Sequence, residues 1–390
     1  MKPSDLKNYD TVPALAEDMN RLLFGPETEA GLTALREDHE NGAEVLALKA
    51  LNTLLKAIRG PDLESPATAA EFWKALRIVA WTLAKDGRVS MAPAIEGALF
   101  KALSRVTMAV EVKGGSCFSP TGLDKIRLDD FKTLALEQIE ETILSRQSRV
   151  EIIAKAFTSF ISRSEGYKHA ARKHDYVNIL TLSSSSSVTA AVKLLIQDAS
   201  TSDTKIRLQI LESRPRFEGV ACATDILHDL WDSENLKVEI LSDASVAYAA
   251  KTADFTVIGA DKLAANGDVN NKIGSLAACV LTKTLRPEAK VVVVTSTDKI
   301  TLDGGKKEET ESNDKEEMTQ AWPPSWAVML QDERAAQGGA QVEVRNAYFE
   351  WVPAEYVDVY VTDEGEVDKK GVKGLAAGKG EVESKLFADL

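Results

Sequence analysis

The chain has 390 residues, 44% of them apolar and 27% charged, a globular composition that excludes a wholly disordered, collagen-like or disulfide-scaffold protein. At roughly 150 residues per domain, two to three domains are expected. Acidic side chains outnumber basic ones by 60 to 47, and the net charge of -13 argues against direct nucleic-acid binding, which needs a positive field to displace counterions. Three cysteines, Cys117, Cys222 and Cys279, lie far apart without a CxxC pair or zinc spacing, and only four histidines accompany them. No metal and no cofactor is therefore expected, and a reducing compartment fits best. The opening MKPSDLKNYDTVPALAEDMNRLL has mixed charge and no signal-peptide character, and no stretch approaches the ~18 apolar residues of a membrane span. The expectation is a soluble cytoplasmic or nuclear protein without membrane contact, cytoplasmic by default.

Residues 1–165 read as an N-terminal helical domain. Apolar residues recur at three- and four-residue spacing over Ala43–Ile58, Ala69–Lys85, Pro93–Val106 and Thr133–Phe160, with a loop at Gly114-Gly115-Ser116 and Ser119-Pro120. Trp73 and Trp81 fall on one helical face, as core residues do. From about Asp175 the period changes. Short apolar runs at Val177–Leu182, Ile206–Leu211, Val238–Leu241, Phe255–Ile258 and Lys290–Thr295 alternate with helical patterns, among them Gly219–Trp231 and Asn271–Leu285. Buried strands alternating with helices predict an α/β fold, a doubly wound parallel sheet of Rossmann-like type over residues 166–390. Residues 303–320 are charged and aperiodic and read as an acidic exposed loop. Apolar character returns at Val342–Val361, and the KKGVKGLAAGKG stretch near the end reads as an insertion.

Ligands of an open parallel sheet bind beyond the carboxyl ends of its strands, so the segments after each strand carry the candidate site. After the first strand, Ser183, Ser184, Ser185, Ser186 and Ser187 open a helix and offer hydroxyls and backbone N–H groups to an anion. A serine run elsewhere would be a linker; here strand and helix leave no room for one. After the second strand stand Glu212, Arg214 and Arg216, whose guanidinium forks suit phosphate and whose carboxylate suits sugar hydroxyls or an arginine. A solvated Arg/Glu loop is the alternative. After the fourth strand comes GADKLAANGDVNNKIGS, the densest polar cluster of the chain. Asp261 there is costly unless paired or used, with a turn cap as its plain alternative. Asn271 and Lys272 are expected to open the next helix.

The string GADKLAANGDVNNKIGS closely resembles the GAD...NGD...NKIGT signature of one superfamily, and ESRPRFEG resembles its ETRP...QG segment, with Glu218 where glutamine is usual. That superfamily holds the alpha, beta and delta subunits of eukaryotic translation initiation factor 2B and the methylthioribose-1-phosphate and ribose-1,5-bisphosphate isomerases. The resemblance covers roughly residues 150–365 well and the helical part loosely. It implies an N-terminal helical domain and a Rossmann-like domain that also carries dimerisation. It further implies a catalytic cysteine and the aspartate of GAD in the isomerase branch. Asp261 is retained, but Ser183 stands at the cysteine position. A hydroxyl needs a separate base where a thiolate does not, so isomerase chemistry is weakened while sugar-phosphate binding is not. The segment from Asp86 to Ile95 is loosely similar to the isomerases' RGAPAIG phosphate element, which makes Arg88 a ligand contact or a plain surface arginine.

The leading expectation is an initiation-factor-2B-like regulatory protein, nearest the alpha type, that binds a phosphorylated sugar or a nucleoside monophosphate without isomerase chemistry. The alternatives are a divergent aldose–ketose isomerase of ribose-1,5-bisphosphate or methylthioribose-1-phosphate type, and an assembly subunit with a dead pocket. A homodimer is expected, with other initiation factor 2B subunits or initiation factor 2 as further partners. The apolar fifth strand and the aromatic segment Tyr348–Trp351 are the expected interface.

Overall fold

The computed structural model describes residues 25–38, 41–88, 91–119, 121–173, 175–302, 313–325, 343–387 and 390. Residue contacts divide the chain into two compact units. The first runs to Arg149 and also takes in Ser296–Leu302 and the tail from Val372; the second holds Val150–Thr295 and the residues up to Gly371. The division falls inside the helix Leu128–Arg163, not at the change of period near residue 165. Periodicity marks where secondary structure changes, whereas Ile153, Ala154, Phe157 and Ile161 of that helix already belong to the hydrophobic core of the sheet.

The first unit is helical: Pro26–Arg36, Ala43–Arg59, Ala69–Asp86, Ala92–Val112 and the start of Leu128–Arg163. In Ala43–Arg59 the buried Leu46, Ala50, Leu54 and Ile58 recur every fourth residue, the single stripe that a bundle helix buries. Thr68 caps Ala69–Asp86 by accepting the Glu71 N–H, and Glu71 reaches back to the Ala67 N–H (2.8 Å). Trp73 is buried edge-on to Phe131, and the half-buried Trp81 packs on Phe100 and Phe387, so Trp73 is core and Trp81 lies at its margin. Asp298 is buried between the guanidinium groups of Arg146 and Arg149, and Arg146 also pairs with Glu44 at 2.7 Å. Burial alone would raise the Asp298 pKa; the two guanidinium groups outweigh it and hold the carboxyl below its ordinary value. The tail read as an insertion is the helix Lys369–Phe387, with Val372, Ala376, Leu386 and Phe387 buried. Its glycines and lysines hide this apolar stripe in the sequence.

In chain order the strands are β1 (Tyr176–Leu182), β2 (Lys205–Leu211), β3 (Leu236–Leu241), β4 (Phe255–Ile258), β5 (Lys262–Ala264), β6 (Val269–Lys272), β7 (Lys290–Val294), β8 (Ile300–Thr301), β9 (Phe349–Val352), β10 (Val359–Thr362) and β11 (Gly365–Val367). The second unit is built on a seven-stranded sheet ordered β11-β10-β7-β4-β1-β2-β3. Every neighbouring pair is parallel except β10 with β11. The fold is thus mixed α/β with a large, mostly parallel, doubly wound sheet, as the alternation of period predicts. Strand order runs outward in both directions from the β1/β4 pair, and such a reversal opens a crevice at the carboxyl ends of those two strands. The fifth predicted strand, β7, lies between β4 and β10 with Val291–Val294 buried, so its apolar excess is core and not interface.

Two further corrections concern the second unit. Asn271 and Lys272 do not open a helix. They end β6, which pairs antiparallel with β5 across the Asn266-Gly267 turn and with β9 on its other side; the helix begins at Ser275. A polar NNK run carries no apolar alternation, so nothing in it announced a strand. The aromatic segment Tyr348–Trp351 lies largely in β9 and is spent on this smaller antiparallel layer. Of the acidic stretch 303–320, residues 303–312 lie outside the described residues. Residues 313–320 include the one-turn helix Glu316–Thr319 and are anchored: the buried Asn346 donates to the Asp314 carbonyl (2.7 Å) and accepts from the Asn313 N–H (2.9 Å).

Candidate functional site

The β1/β4 crevice gathers most of the candidate residues. Thr181 closes β1 by donating its hydroxyl to the Val257 carbonyl of β4 at 2.8 Å. Two residues on, Ser183 turns the chain with φ of 65°, a left-handed conformation unusual for serine. Its N–H donates to the Ser213 hydroxyl oxygen (2.7 Å), and the buried Ser213, also at positive φ, donates its own hydroxyl to the Leu211 carbonyl (3.1 Å). Asp243, just past β3, accepts from the N–H groups of Ser213 (2.9 Å) and Arg214 (2.8 Å). One relay, Asp243 to Ser213 to Ser183, therefore ties together the carboxyl ends of β3, β2 and β1. Asp243 and Ser213 were not among the sequence candidates. Asp243 follows a predicted strand end, the same signal that singled out Glu212 and Asp261.

The serines divide by role. Ser184 and Ser186 are exposed, Ser185 is half-buried, and Ser187 is buried in the first turn of the helix Ser186–Thr201. Ser185 occupies the N-cap position, yet its hydroxyl makes no capping hydrogen bond, which leaves that helix terminus with an open set of donors. The N-terminus of the helix Ser275–Leu285 is in contrast already filled. The Glu350 carboxylate accepts from Gly274 (2.6 Å) and Leu276 (2.9 Å), an acid held where a helix dipole favours one. Of these two termini, an incoming anion meets the open one at Ser186.

Gly259, directly after β4, lets the serine turn approach. A Cβ there would lie 3.0 Å from the Ser185 hydroxyl and 3.6 Å from the Asn271 amide oxygen. Asn271 is buried and donates to the Ser275 hydroxyl (2.9 Å). Asp261 sits between β4 and β5, half-buried, its backbone N–H donating to the Asn270 carbonyl (2.8 Å). Lys272 is buried, pairs with Glu218 at 2.8 Å, and holds its ammonium over the rings of Tyr348 (4.8 Å) and Phe349 (4.9 Å). Arg216 lies over the same Tyr348 ring at 5.7 Å, and Arg214 over Phe217 at 5.5 Å. Burial, and then the hydrogen bond donated to Glu317, push the Tyr348 phenol up to about 12, so it stays a neutral donor at neutral pH. Glu212 takes part through its backbone: its N–H donates to Leu241 (2.8 Å) and its carbonyl accepts from Gly219 (3.2 Å). Arg88 belongs to the first unit, where its guanidinium donates to the Asp38 carbonyl (2.6 Å).

The arrangement offers a helix terminus, two arginines, one lysine and several hydroxyl and amide groups at one sheet edge. No thiol stands at Ser183. Cys222 and Cys279 are buried in the second unit and Cys117 in the first, and burial pushes their pKa values up, for Cys117 and Cys279 to about 12. Among the described residues no group of three or more His, Cys, Asp or Glu is placed to hold a metal ion. Among them, too, no helix is long and apolar enough to cross a membrane.

The chain is 33% identical over 165 residues to the methylthioribose-1-phosphate isomerase of Citrifermentans bemidjiense, and 29% identical over 184 residues to that of Geobacter sulfurreducens. These matches span 42% and 46% of this chain and 43% and 49% of those proteins, so the chain aligns with less than half of each relative. Among solved structures, the tetrameric eIF2B-beta2-delta2 complex from C. thermophilum matches with a TM-score of 0.59 at 12% identity, covering 90% of this chain and 94% of that one. The 5-methylthioribose 1-phosphate isomerase from Pyrococcus horikoshii OT3 matches with a TM-score of 0.57 at 20% identity, covering 91% and 88%. At these identities the likeness is one of fold. The sequence profile described as the initiation factor 2 subunit family matches residues 39–369, most of the chain and all of the crevice, and the protein belongs to that family.

Proposed function

We propose that the protein binds a phosphorylated sugar, or a nucleoside monophosphate, in the β1/β4 crevice. The observation that carries this reading is the open terminus of the Ser186–Thr201 helix, tied through Ser183, Ser213 and Asp243 to the backbone of the arginine loop and set near Asn271 across Gly259, while the Ser275–Leu285 terminus is occupied by Glu350. Phosphate is the ligand group that a helix terminus with nearby guanidinium groups recognises. Glu212, Asp261 and Asn271 are offered for the sugar hydroxyls. A cytoplasmic location, a homodimer, and a regulatory role beside initiation factor 2 or its 2B subunits belong to the same reading.

Aldose–ketose isomerisation is the second reading, and the names of the relatives favour it over a purely regulatory role. Isomerisation needs a group that takes a proton beside the carbonyl and returns it to the neighbouring carbon, best with a pKa near the working pH. Asp261 is at hand. Ser183 is a hydroxyl that would itself need a base, and the buried thiols are no substitute. Proton NMR of methylthioribose-1-phosphate and of ribose-1,5-bisphosphate incubated with the protein separates the two readings. Binding without turnover supports the binder, and turnover approaching the enzyme median of about 10 per second establishes the isomerase. A melting panel of pentose phosphates and nucleoside monophosphates that gives no shift with any ligand at millimolar concentration rejects both. Ligand at a hundred times its dissociation constant should stabilise by about 2.7 kcal/mol.

A further inference from the structure

Two of the cations offered to the ligand are balanced before any ligand arrives. The buried Tyr348 ring carries the Lys272 ammonium at 4.8 Å and the Arg216 guanidinium at 5.7 Å. Two carboxylates stand by the same groups. Glu218 pairs with Lys272 at 2.8 Å, and Glu317 accepts a hydrogen bond from the Tyr348 hydroxyl. After burial, the groups that act on the Tyr348 phenol are Glu317, Arg216 and Glu218, so all three lie within electrostatic reach of it. Two positive and two negative side chains thus cancel around one ring.

A phosphate monoester adds a charge of about -1.5 to -2 at pH 7, and beside all four groups it would drive the cluster that far negative. The departure of one carboxylate lowers the excess by one. The two carboxylates are not equally fixed. Glu218 sits in the first turn of the helix Glu218–Leu230, where the dipole favours an acid, and its partner Lys272 is buried. Glu317 is half-buried on the one-turn helix Glu316–Thr319, in a segment anchored through Asn346 and Tyr348. The Asn346 amide donates to the Glu317 carboxylate (3.2 Å) and to the Asp314 carbonyl (2.7 Å), and the Asn346 carbonyl accepts from the Asn313 N–H (2.9 Å). This anchorage carries a cost. The Asn346 amide oxygen is buried and accepts no hydrogen bond among the described residues, a penalty that water relieves once the segment lifts.

We propose that Glu317 is a built-in competitor of the ligand: the segment 313–320 is a strap latched on Tyr348, and a phosphate group arriving at Arg216 and Lys272 displaces its carboxylate and releases the strap. This rests on the reading of the crevice as a phosphate-ester site and adds how access to that site is regulated. Hydrogen–deuterium exchange of a peptide covering residues 313–320, followed by mass spectrometry, tests the latch without ligand. The amides of Asn313, Met318, Thr319 and Gln320 are hydrogen-bonded there. Tyr348→Phe keeps the ring and removes the donor, and it should speed exchange of the peptide about tenfold, the worth of one hydrogen bond to a charged group. Glu317→Gln, at a half-buried position, should speed it too and carries the test if Tyr348→Phe does not fold. Calorimetry with ribose-1,5-bisphosphate and with adenosine monophosphate tests the competition. At least one of them should bind Glu317→Gln about tenfold more tightly than wild type, since that bond no longer has to be given up. Saturating wild type with the same compound should speed exchange of the strap. Binding seen only in Glu317→Gln also supports the proposal. Exchange unchanged in both variants, exchange in wild type that is unchanged or slower with ligand, or affinity in Glu317→Gln no tighter than in wild type would each overturn the strap and leave the phosphate site standing. Absence of binding heat with both compounds, in wild type and in Glu317→Gln alike, would remove the site itself and the strap with it.

Discussion

The relay from Asp243 through Ser213 to Ser183 allows a quantitative test of how the crevice is held. Replacing Asp243 with alanine removes the acceptor for two backbone N–H groups, at 2.9 and 2.8 Å, without replacing any side chain offered to the ligand. A hydrogen bond to a charged group contributes about 1.5–3 kcal/mol. Asp243 is half-buried, so water partly replaces the lost acceptor and the low end applies to each bond, giving about 3 kcal/mol in total. One kcal/mol moves the melting temperature of a 150–250-residue domain by about 2–4 °C, so a fall of about 6–12 °C is expected. Because Arg214 is one of the two donors, the same change should free the arginine loop and weaken phosphate binding. Asp243→Asn retains one acceptor and should fall between the two. Thermal unfolding followed by circular dichroism, with and without ribose-1,5-bisphosphate, measures both effects. An alanine variant that melts within about 2 °C of wild type, the low end of the shift for one kcal/mol, and binds as well would refute the relay as the organiser of the site.

Other substitutions probe separate layers of the account. Asp298→Ala in the first unit removes the carboxylate that the buried Arg146 and Arg149 share, and breaking such a buried pair should cost about 3 kcal/mol in a melt, the low end because Arg146 keeps Glu44. Since the Asp298 pKa is lowered on folding, its contribution is present above the ordinary carboxylate value and fades as pH falls through the lower native value. An acid titration of stability should accordingly be flatter in the Asp298→Asn variant. Gly219→Ala would place a Cβ 1.8 Å from the Leu211 carbonyl oxygen, a backbone atom that cannot swing aside, and should destabilise by about 3 kcal/mol or more in urea unfolding. Lys272→Ala leaves Glu218, itself 25% exposed, without its partner and should cost about 3 kcal/mol, while Lys272→Arg should recover part of it.

The alternation of short apolar runs with helical periods located five of the six parallel strands of the large sheet to within two residues, because buried strands are rich in Val, Ile and Leu; β10 was covered only by the return of apolar character over Val342–Val361. Phe255–Ile258 is identical in both readings. What escaped was polar or diluted. Asn271 and Lys272 are strand residues whose partners, in β9, lie about 80 positions away, and no local pattern encodes such a pairing. The tail helix carries its apolar stripe on Val372 and Ala376 amid glycines that favour no helix. At the site, the after-strand rule found the serines, both arginines and Asp261, since topology alone brings strand ends together. It missed the acceptors that hold those groups in place. Asp243 carries the same after-strand signal and was passed over, whereas Glu350, inside β9, acts on the N–H groups of Gly274 and Leu276 more than 70 positions away, and no local pattern announces such a contact.

The most direct measurement is calorimetric titration of methylthioribose-1-phosphate and ribose-1,5-bisphosphate into wild type, Arg214→Ala and Asn271→Ala, each shown by its melt to be folded. The account predicts saturable binding of at least one of these sugar phosphates to wild type. It predicts affinity at least about tenfold weaker in Arg214→Ala, the loss of one charge-assisted bond of about 1.5 kcal/mol or more. Absence of binding heat with both ligands at millimolar concentration, or undiminished affinity in both variants, would contradict a sugar-phosphate site at the β1/β4 crevice.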